Sequence, residues 1–397
     1  MKYLAVLGRQ PEISIAELEL SDFCTDIDRL GGTQKLAVSL EEKPLEFLQN
    51  LPDGKVTLGV SDYSKGASSR TATREALKLK KILVRHGRSV RVVENKSATL
   101  STATSLHNGL NGKNARKVEL IKVDNEWYKV IGVQDIDAYT KRDQARPARD
   151  AKVGMLPPKL AQILINLCGP LKPGSVILDP FCGTGVVLQE ALLMGYHAYG
   201  TDVNERMVEY SKKNLTWLRN TKIAQFEERQ GKIFDFAAGG AKQCDKISDL
   251  SHCEASEMRN FSIPEERTLK NNLFHLFIGD ATSFNWSQPI DAVACEGYLG
   301  KPFSRIPTEM ELKEQKQECG SIILRFLKNL SNQIKKDTPV VIAIPAWLRT
   351  DGSYERLDII DEIENMGYNV NNKSREGLLY HREGQIVARD IIILRKK

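Results

Sequence analysis

The opening "MKYLAVLGRQPEISIAELE" has no long hydrophobic run, because Gly8 and Arg9 end the apolar stretch after a few residues. That length fits neither a secretory leader nor a membrane span, and the expectation is a cytoplasmic protein. Paired cysteines are also missing. The 7 cysteines are odd in number and scattered without a CxxC, which excludes a disulfide framework and fits reduced thiols. Cys244 with His252 and Cys253 lacks a fourth ligand at sensible spacing, so no metal is expected. Strong charge is absent as well. A net charge of +6 and a pI near 8.8 indicate only a mild cationic excess, whose placement matters more than its size.

What remains is a globular composition, with 41% hydrophobic and 27% charged residues spread over 397 positions, enough for two or three domains. From about Val176 the chain alternates strand and helix: "SVILDPF", "GVVLQEALLMG", "HAYGTDV", "ERMVEYSKKNLTWL". "LFHLFIGDA", "IDAVACE" and "PVVIAIPAW" continue the strands, with a long helix from about Met310 to Lys336 before the last of them. This rhythm predicts an α/β, doubly wound domain of seven strands, its final stretch "YNVNNKSREGLLYHREGQIVARDIIILRKK" adding a strand and a hairpin at the sheet edge. Residues 1–140 read as a separate α+β region with a hairpin turning at Asp124-Asn125, residues 141–157 as a charged linker, and 158–397 as the doubly wound domain. The polar stretch at 219–272 is longer than an ordinary connection and reads as a surface insertion.

Chemistry concentrates in "ILDPFCGTGVVLQEALLMGYHAYGTDVN". Gly183 and Gly185 form a turn between a buried strand and a helix N-terminus, where the backbone can approach a ligand closely. Asp202 follows at the end of the next strand, the place from which a carboxylate reaches a ribose diol. Asp179, Asp202 and Asp280 all end adjacent parallel strands, lining the crevice in which such sheets bind ligands. Helix capping is the plain alternative for these acids.

"DPFCGTG" followed by "GTDVNERMVEYSKKNL" closely resembles the S-adenosylmethionine site of RNA methyltransferases, in particular the THUMP-domain tRNA guanine-N2 methyltransferases. "LGRQPEISIAELE", "GMLPPKLAQILINL" from Gly154, and "SATLSTATSLHNGLNGKNARKVELIKVDNEWYKVIG", which looks like a THUMP domain, extend the resemblance to nearly the whole chain outside the insertion. It implies a Rossmann-like methyltransferase domain preceded by a THUMP-type RNA-binding region. It also implies that Asp179, Phe181, Gly183, Thr184 and Gly185 hold the methionine part of the cofactor. Asp202, with Val203 beside it, would take the ribose, and Asp280 with the Ala281 backbone the adenine.

The stretch "DAVACEGYLGKPF" stands where amino-group methyltransferases of this fold carry Asp or Asn, two prolines and an aromatic. By that resemblance Glu296 and the Gly297 carbonyl accept hydrogen bonds from the target amine, and Tyr298 stacks on a base taken out of its helix. The sequence departs from the pattern, since both prolines are gone, the acid is one methylene longer and the aromatic comes one residue early. Lys301-Pro302-Phe303 offers a second aromatic nearby. In this reading Cys182 and Cys295 are packing residues near the pocket.

Arg74, Lys78, Lys81 and Arg85 recur at helical spacing opposite Ala76, Leu79 and Leu83, and Arg88, Arg91, Lys96, Lys113, Arg116 and Lys117 follow. Such a stripe is either a solvated face or a phosphate-binding surface. The function implied by the resemblance is methylation of a tRNA guanosine N2, with position 10 the family's usual one. Another RNA guanine or an adenine amine, and a non-catalytic RNA-binding protein retaining the fold, remain as alternatives. A small activating protein partner would leave no mark in the sequence.

Overall fold

The computed structural model describes residues 1–22, 25–150, 156–220, 273–372 and 377–397. The expected insertion from residue 221 onward, Gly154, Cys244, His252 and Cys253 lie outside the described residues. Among those described, no helix is long and apolar enough to cross a membrane.

The N-terminal region runs β1 (Tyr3–Leu7), α1 (Pro11–Leu20), β2 (Thr33–Ser39), α2 (Pro44–Gln49), β3 (Val56–Asp62), α3 (Ser69–Arg85), β4 (Val90–Val92), α4 (Thr102–His107), β5 (Lys117–Val123), β6 (Glu126–Val133) and α5 (Ile136–Gln144). Its six strands order as β1-β2-β6-β5-β3-β4. β5 and β6 form the hairpin at Asp124-Asn125, with Asp124 at φ 51° as a two-residue turn requires. Two charges buried in this sheet satisfy each other. Lys35 Nζ donates to Glu119 Oε1 (2.6 Å) and the Leu100 carbonyl (2.7 Å), while the Ser61 and Ser105 hydroxyls donate to the two Glu119 oxygens.

The second region comprises α6 (Pro158–Asn166), β7 (Val176–Asp179), α7 (Val186–Leu193), β8 (His197–Asp202), α8 (Glu205–Leu218), β9 (Phe274–Ile278), β10 (Ala292–Glu296), α9 (Glu309–Ser331), β11 (Pro339–Leu348), β12 (Tyr354–Arg356), α10 (Ile360–Asn365), β13 (Tyr368–Val370), β14 (Leu379–Tyr380) and β15 (Val387–Lys396). α9 ends five residues short of the expected Lys336. The strands order as β13-β15-β11-β10-β7-β8-β9, with β9, β8, β7, β10 and β11 mutually parallel. The closing strand differs from expectation: β15 does not add at the edge but inserts antiparallel between β11 and β13. Its apolar run "IIIL" is buried on both sides there, which an edge position would leave exposed.

Period-two alternation assigns each strand residue to a face. Val293 and Cys295 pack with Phe326 and Leu327 of α9, whereas Ala292 and Ala294 pack with Leu160 and Leu164 of α6. The chain passes outward through β7, β8 and β9 and returns to β10 beside β7, so the β7/β10 boundary is the topological switch point at which such sheets open a crevice.

The two regions are tightly joined. Glu17 of α1 is buried and accepts hydrogen bonds from the Gly31 and Gly32 amides (2.8 and 2.7 Å) and from Asn166 Nδ2 of α6 (2.7 Å). The expected linker begins inside α5, where Arg142 forms a two-pronged ion pair with buried Glu190 of α7 (2.7 and 3.2 Å) and Tyr139 hydrogen-bonds Gln162.

Candidate active site at the switch point

β7 ends on Asp179, which is buried and accepts from the Phe181 amide (3.2 Å). The chain then turns through Gly183 (φ 51°) and Gly185 (φ 81°), the latter capping α7 in a left-handed conformation. A Cβ on Gly185 would lie 2.8 Å from Ser211 Oγ, whereas over Gly183 the nearest atom would be 3.9 Å away. The loop therefore has one face pressed on α8 and one face that no described residue covers. α8 holds the pressed face through Ser211 Oγ to the Gly183 carbonyl (2.8 Å) and Asn214 Nδ2 to the Thr184 carbonyl (2.9 Å). The Phe181 ring turns away and packs edge-on against Phe326 (5.1 Å).

Asp202 ends β8 and faces the loop. Its Oδ2 accepts from the Gly183 amide and its Oδ1 from the Asn204 amide, both at 2.9 Å. These bonds use two of roughly four acceptor positions on a carboxylate and leave the rest without a described donor. Val203 beside it is 73% exposed, an apolar surface with no cover among the described residues. Asp280 follows β9, is exposed, and accepts from the Thr282 amide (2.8 Å), which holds its carboxyl below the usual range. Ala281 is buried and its carbonyl accepts from Asn329 of α9 (3.0 Å).

Glu296 closes β10. Alternation carries its side chain to the α6 face, and there its Oε1 accepts from Arg389 Nε of β15 at 2.7 Å. Arg389 is 93% buried by side chain and Glu296 83%. Burial raises the Glu296 carboxyl, opposed by Arg389. Asp179 is pushed well up by burial, with Asp202 and Glu296 adding to the effect. An acid-rich pocket of this kind favours a cationic ligand, and a bound cation would draw these groups back toward ionisation. Gly297 is buried, its amide donating to the Ala343 carbonyl (2.9 Å), and a Cβ there would press on Ile342 at 3.1 Å. Tyr298 is half-buried with its hydroxyl turned to Glu318 of α9 (3.0 Å); burial and that carboxylate push the phenol up to about 12. Phe303 is half-buried against the same core. Cys182 and Cys295 are buried thiols with pKa values pushed up by desolvation, as inert packing groups should be.

Outside the crevice, Arg74, Lys78, Lys81 and Arg85 are all exposed on α3, and Lys78 pairs with Glu75 (3.0 Å). Ser69, Arg70, Thr73, Arg74, Leu77, Lys78 and Lys81 line one shallow groove, in which Leu77 is 49% exposed between the cations. Lys113 is exposed on a different element, the loop before β5.

Arg389, Ser211 and Asn214 were not anticipated from the sequence. The signal for the first was present: Arg389 and Asp390 are adjacent charges directly before the apolar run "IIIL" of one strand, and a buried charge needs a partner.

The fold is of the doubly wound α/β class, with its candidate site at the switch point. Residues 146–239 match the UPF0020, RMKL-like methyltransferase domain. The tRNA (guanine(10)-N2)-dimethyltransferase of Methanothermobacter thermautotrophicus is 49% identical over 75 residues, covering 18% of this chain and 22% of that protein. Its namesake from Pyrococcus abyssi is 48% identical over 62 residues, 16% of this chain and 18% of that protein. The matched stretch thus spans about a fifth of these curated relatives. The crystal structure of TrmN from Thermus thermophilus aligns over 92% of this chain and 84% of its own, with 16% identity and a TM-score of 0.40. Over these short stretches the chain is similar in sequence to proteins named tRNA (guanine(10)-N2)-dimethyltransferase.

Proposed function

We propose that the protein methylates the exocyclic N2 amine of a guanosine in tRNA, at position 10, using S-adenosylmethionine. The observation that carries this reading is the convergence at one switch point of the open glycine loop, the half-satisfied Asp202 and the acid Glu296. The residues present fit the cofactor. The open face over Gly183 suits close approach of its methionine part, Asp202 retains acceptor capacity for a ribose, Val203 offers an apolar surface for adenine, and the acidic surroundings suit a sulfonium. When bound, the cofactor supplies a methyl carbon whose bond to sulfur breaks with the electron pair leaving on sulfur.

Glu296 Oε2 and the Gly297 carbonyl would hold the amine so that its nitrogen lone pair points at that carbon. Glu296 Oε2 or water would accept the proton that the amine gives up when it gains the methyl group. Alignment provides most of the rate, because the leaving group is already activated. Tyr298 and Phe303 offer ring surfaces to an extruded base, and the cations of α3 with Lys113 contact phosphates of the tRNA.

A second reading is favoured by one observation. Arg389 already occupies Oε1 of Glu296, as in a fold kept for RNA binding after transfer was lost. Incubation with labelled S-adenosylmethionine and unmodified tRNA separates the two: the proposal expects label in N2-methylguanosine, and bound tRNA without label supports the second reading.

A further inference from the structure

Resting on the proposed transfer reaction, we infer that Arg389 is a positioning residue for it, holding Glu296 by one oxygen so that the other meets the target amine. Arg389 reaches Glu296 from across β11: it pairs with Pro345, and Glu296 pairs with Ala343, two residues along the same face of that strand. Glu296 therefore lies under a guanidinium carried by a strand buried between two neighbours, a support that does not move with the loop following Glu296. The only described donor to Glu296 is Arg389 Nε, on Oε1, and Oε2 accepts from no described residue.

This arrangement also deals with the departure noted in the sequence. A glutamate has one more rotatable bond than the aspartate usual at this position and would wander in an open pocket. A short charge-assisted hydrogen bond to a buried arginine fixes it. The same contact opposes the burial that raises this carboxyl, and so favours its charged form. The titratable groups whose fields reach it are Arg389 of β15, Asp179 of β7 and, on its own strand, the Cys295 thiol. Without Arg389, the carboxyl would hold its proton to higher pH and offer a donor where the amine needs an acceptor.

The test compares the full-length protein with Arg389→Gln and Arg389→Lys variants, measuring kcat against pH, the KM for tRNA and cofactor affinity by calorimetry. Arg389→Gln is expected to lower kcat at neutral pH by tenfold or more, to move the acidic limb of the profile to higher pH, and to leave KM and cofactor affinity within about twofold. Arg389→Lys, which keeps a cation, is expected to restore most of kcat and the original limb. An unmoved limb, or a loss confined to KM or cofactor affinity, overturns the inference while the proposed function stands. If the unmodified protein transfers no methyl group, the proposed function itself has failed. The inference then falls with it, and carbon-13 NMR titration of the Glu296 carboxyl, assigned with Glu296→Gln, reads separately whether Arg389 holds that group: it should move upward in Arg389→Gln, and an unmoved titration overturns the inference whether or not transfer occurs. Should Arg389→Gln not fold, the same titration on the unmodified protein decides, since a Glu296 still protonated at pH 7 contradicts the inference.

Discussion

In the proposed reaction Glu296 would carry more of the chemistry than any other side chain, and its removal should separate binding from transfer. In Glu296→Ala the glycine loop, Asp202 and Asp280 are untouched, so S-adenosylmethionine affinity by calorimetry should stay within about twofold. Methyl transfer should fall by about 10²–10⁴-fold, the range for a group that aligns and deprotonates a reacting amine. Undiminished transfer would refute the role. The placement of Asp179, Asp202 and the two glycines was legible in the sequence because it is local: each lies within a few residues of a strand end. Arg389 was not, since its partner is 93 positions away in the chain and meets it only after β15 has inserted beside β11. The orientation of Tyr298 was equally hidden. Its position at a strand end was clear, but the Glu318 that takes its hydroxyl belongs to a helix whose rotational setting follows from core packing.

Among elements, the glycine turn is the most sharply constrained. Gly185→Ala would place a side chain at φ 81° and 2.8 Å from Ser211 Oγ. The left-handed backbone alone costs about 1–2 kcal/mol, and relief of the contact requires α8 to move off the Gly183 carbonyl. Urea denaturation should show a loss of at least that size, with weakened cofactor binding. Retention of both would mean the turn does not depend on α8. The five parallel strands were readable from apolar runs alternating with helices, because a sheet covered on both faces has to be apolar throughout. The insertion of β15 was not, because an apolar antiparallel strand satisfies its pattern beside β11 or beside β13. Nor was the docking of α1 onto α6, where a single buried residue, Ile13, enters a core otherwise made by the other region.

At the scale of the molecule, the joint between the regions is built from buried charge. Arg142→Ala would take from buried Glu190 the two charge-assisted hydrogen bonds that Arg142 donates, and a loss of about 1.5–3 kcal/mol in urea denaturation is expected. Glu17 makes the joint sensitive to pH. Burial raises its carboxyl to about 7 against the three N–H donors that favour its charged form. A group raised on folding stabilises the fold fully below its unfolded value near 4.5, and that contribution is lost as pH rises through about 7. The thermal midpoint should accordingly decline between about pH 5 and 8, and Glu17→Gln should flatten that decline; an unchanged slope in the variant would exclude Glu17 as its source. The joint sets the placement of α3 relative to the crevice, so the exposed cations should act on tRNA as a whole. Changing Arg74, Lys78 and Lys81 together to Ala should weaken tRNA binding and reduce the salt dependence by about three phosphate contacts' worth of slope. A salt slope equal to that of the unmodified protein would place the RNA surface elsewhere.

The most direct test of the account is nucleoside mass spectrometry of unmodified tRNA after incubation with the protein and labelled S-adenosylmethionine. Label is expected in N2-methylguanosine and is expected to be lost in Glu296→Ala. Label in another nucleoside, or none while both cofactor and tRNA bind, would contradict it.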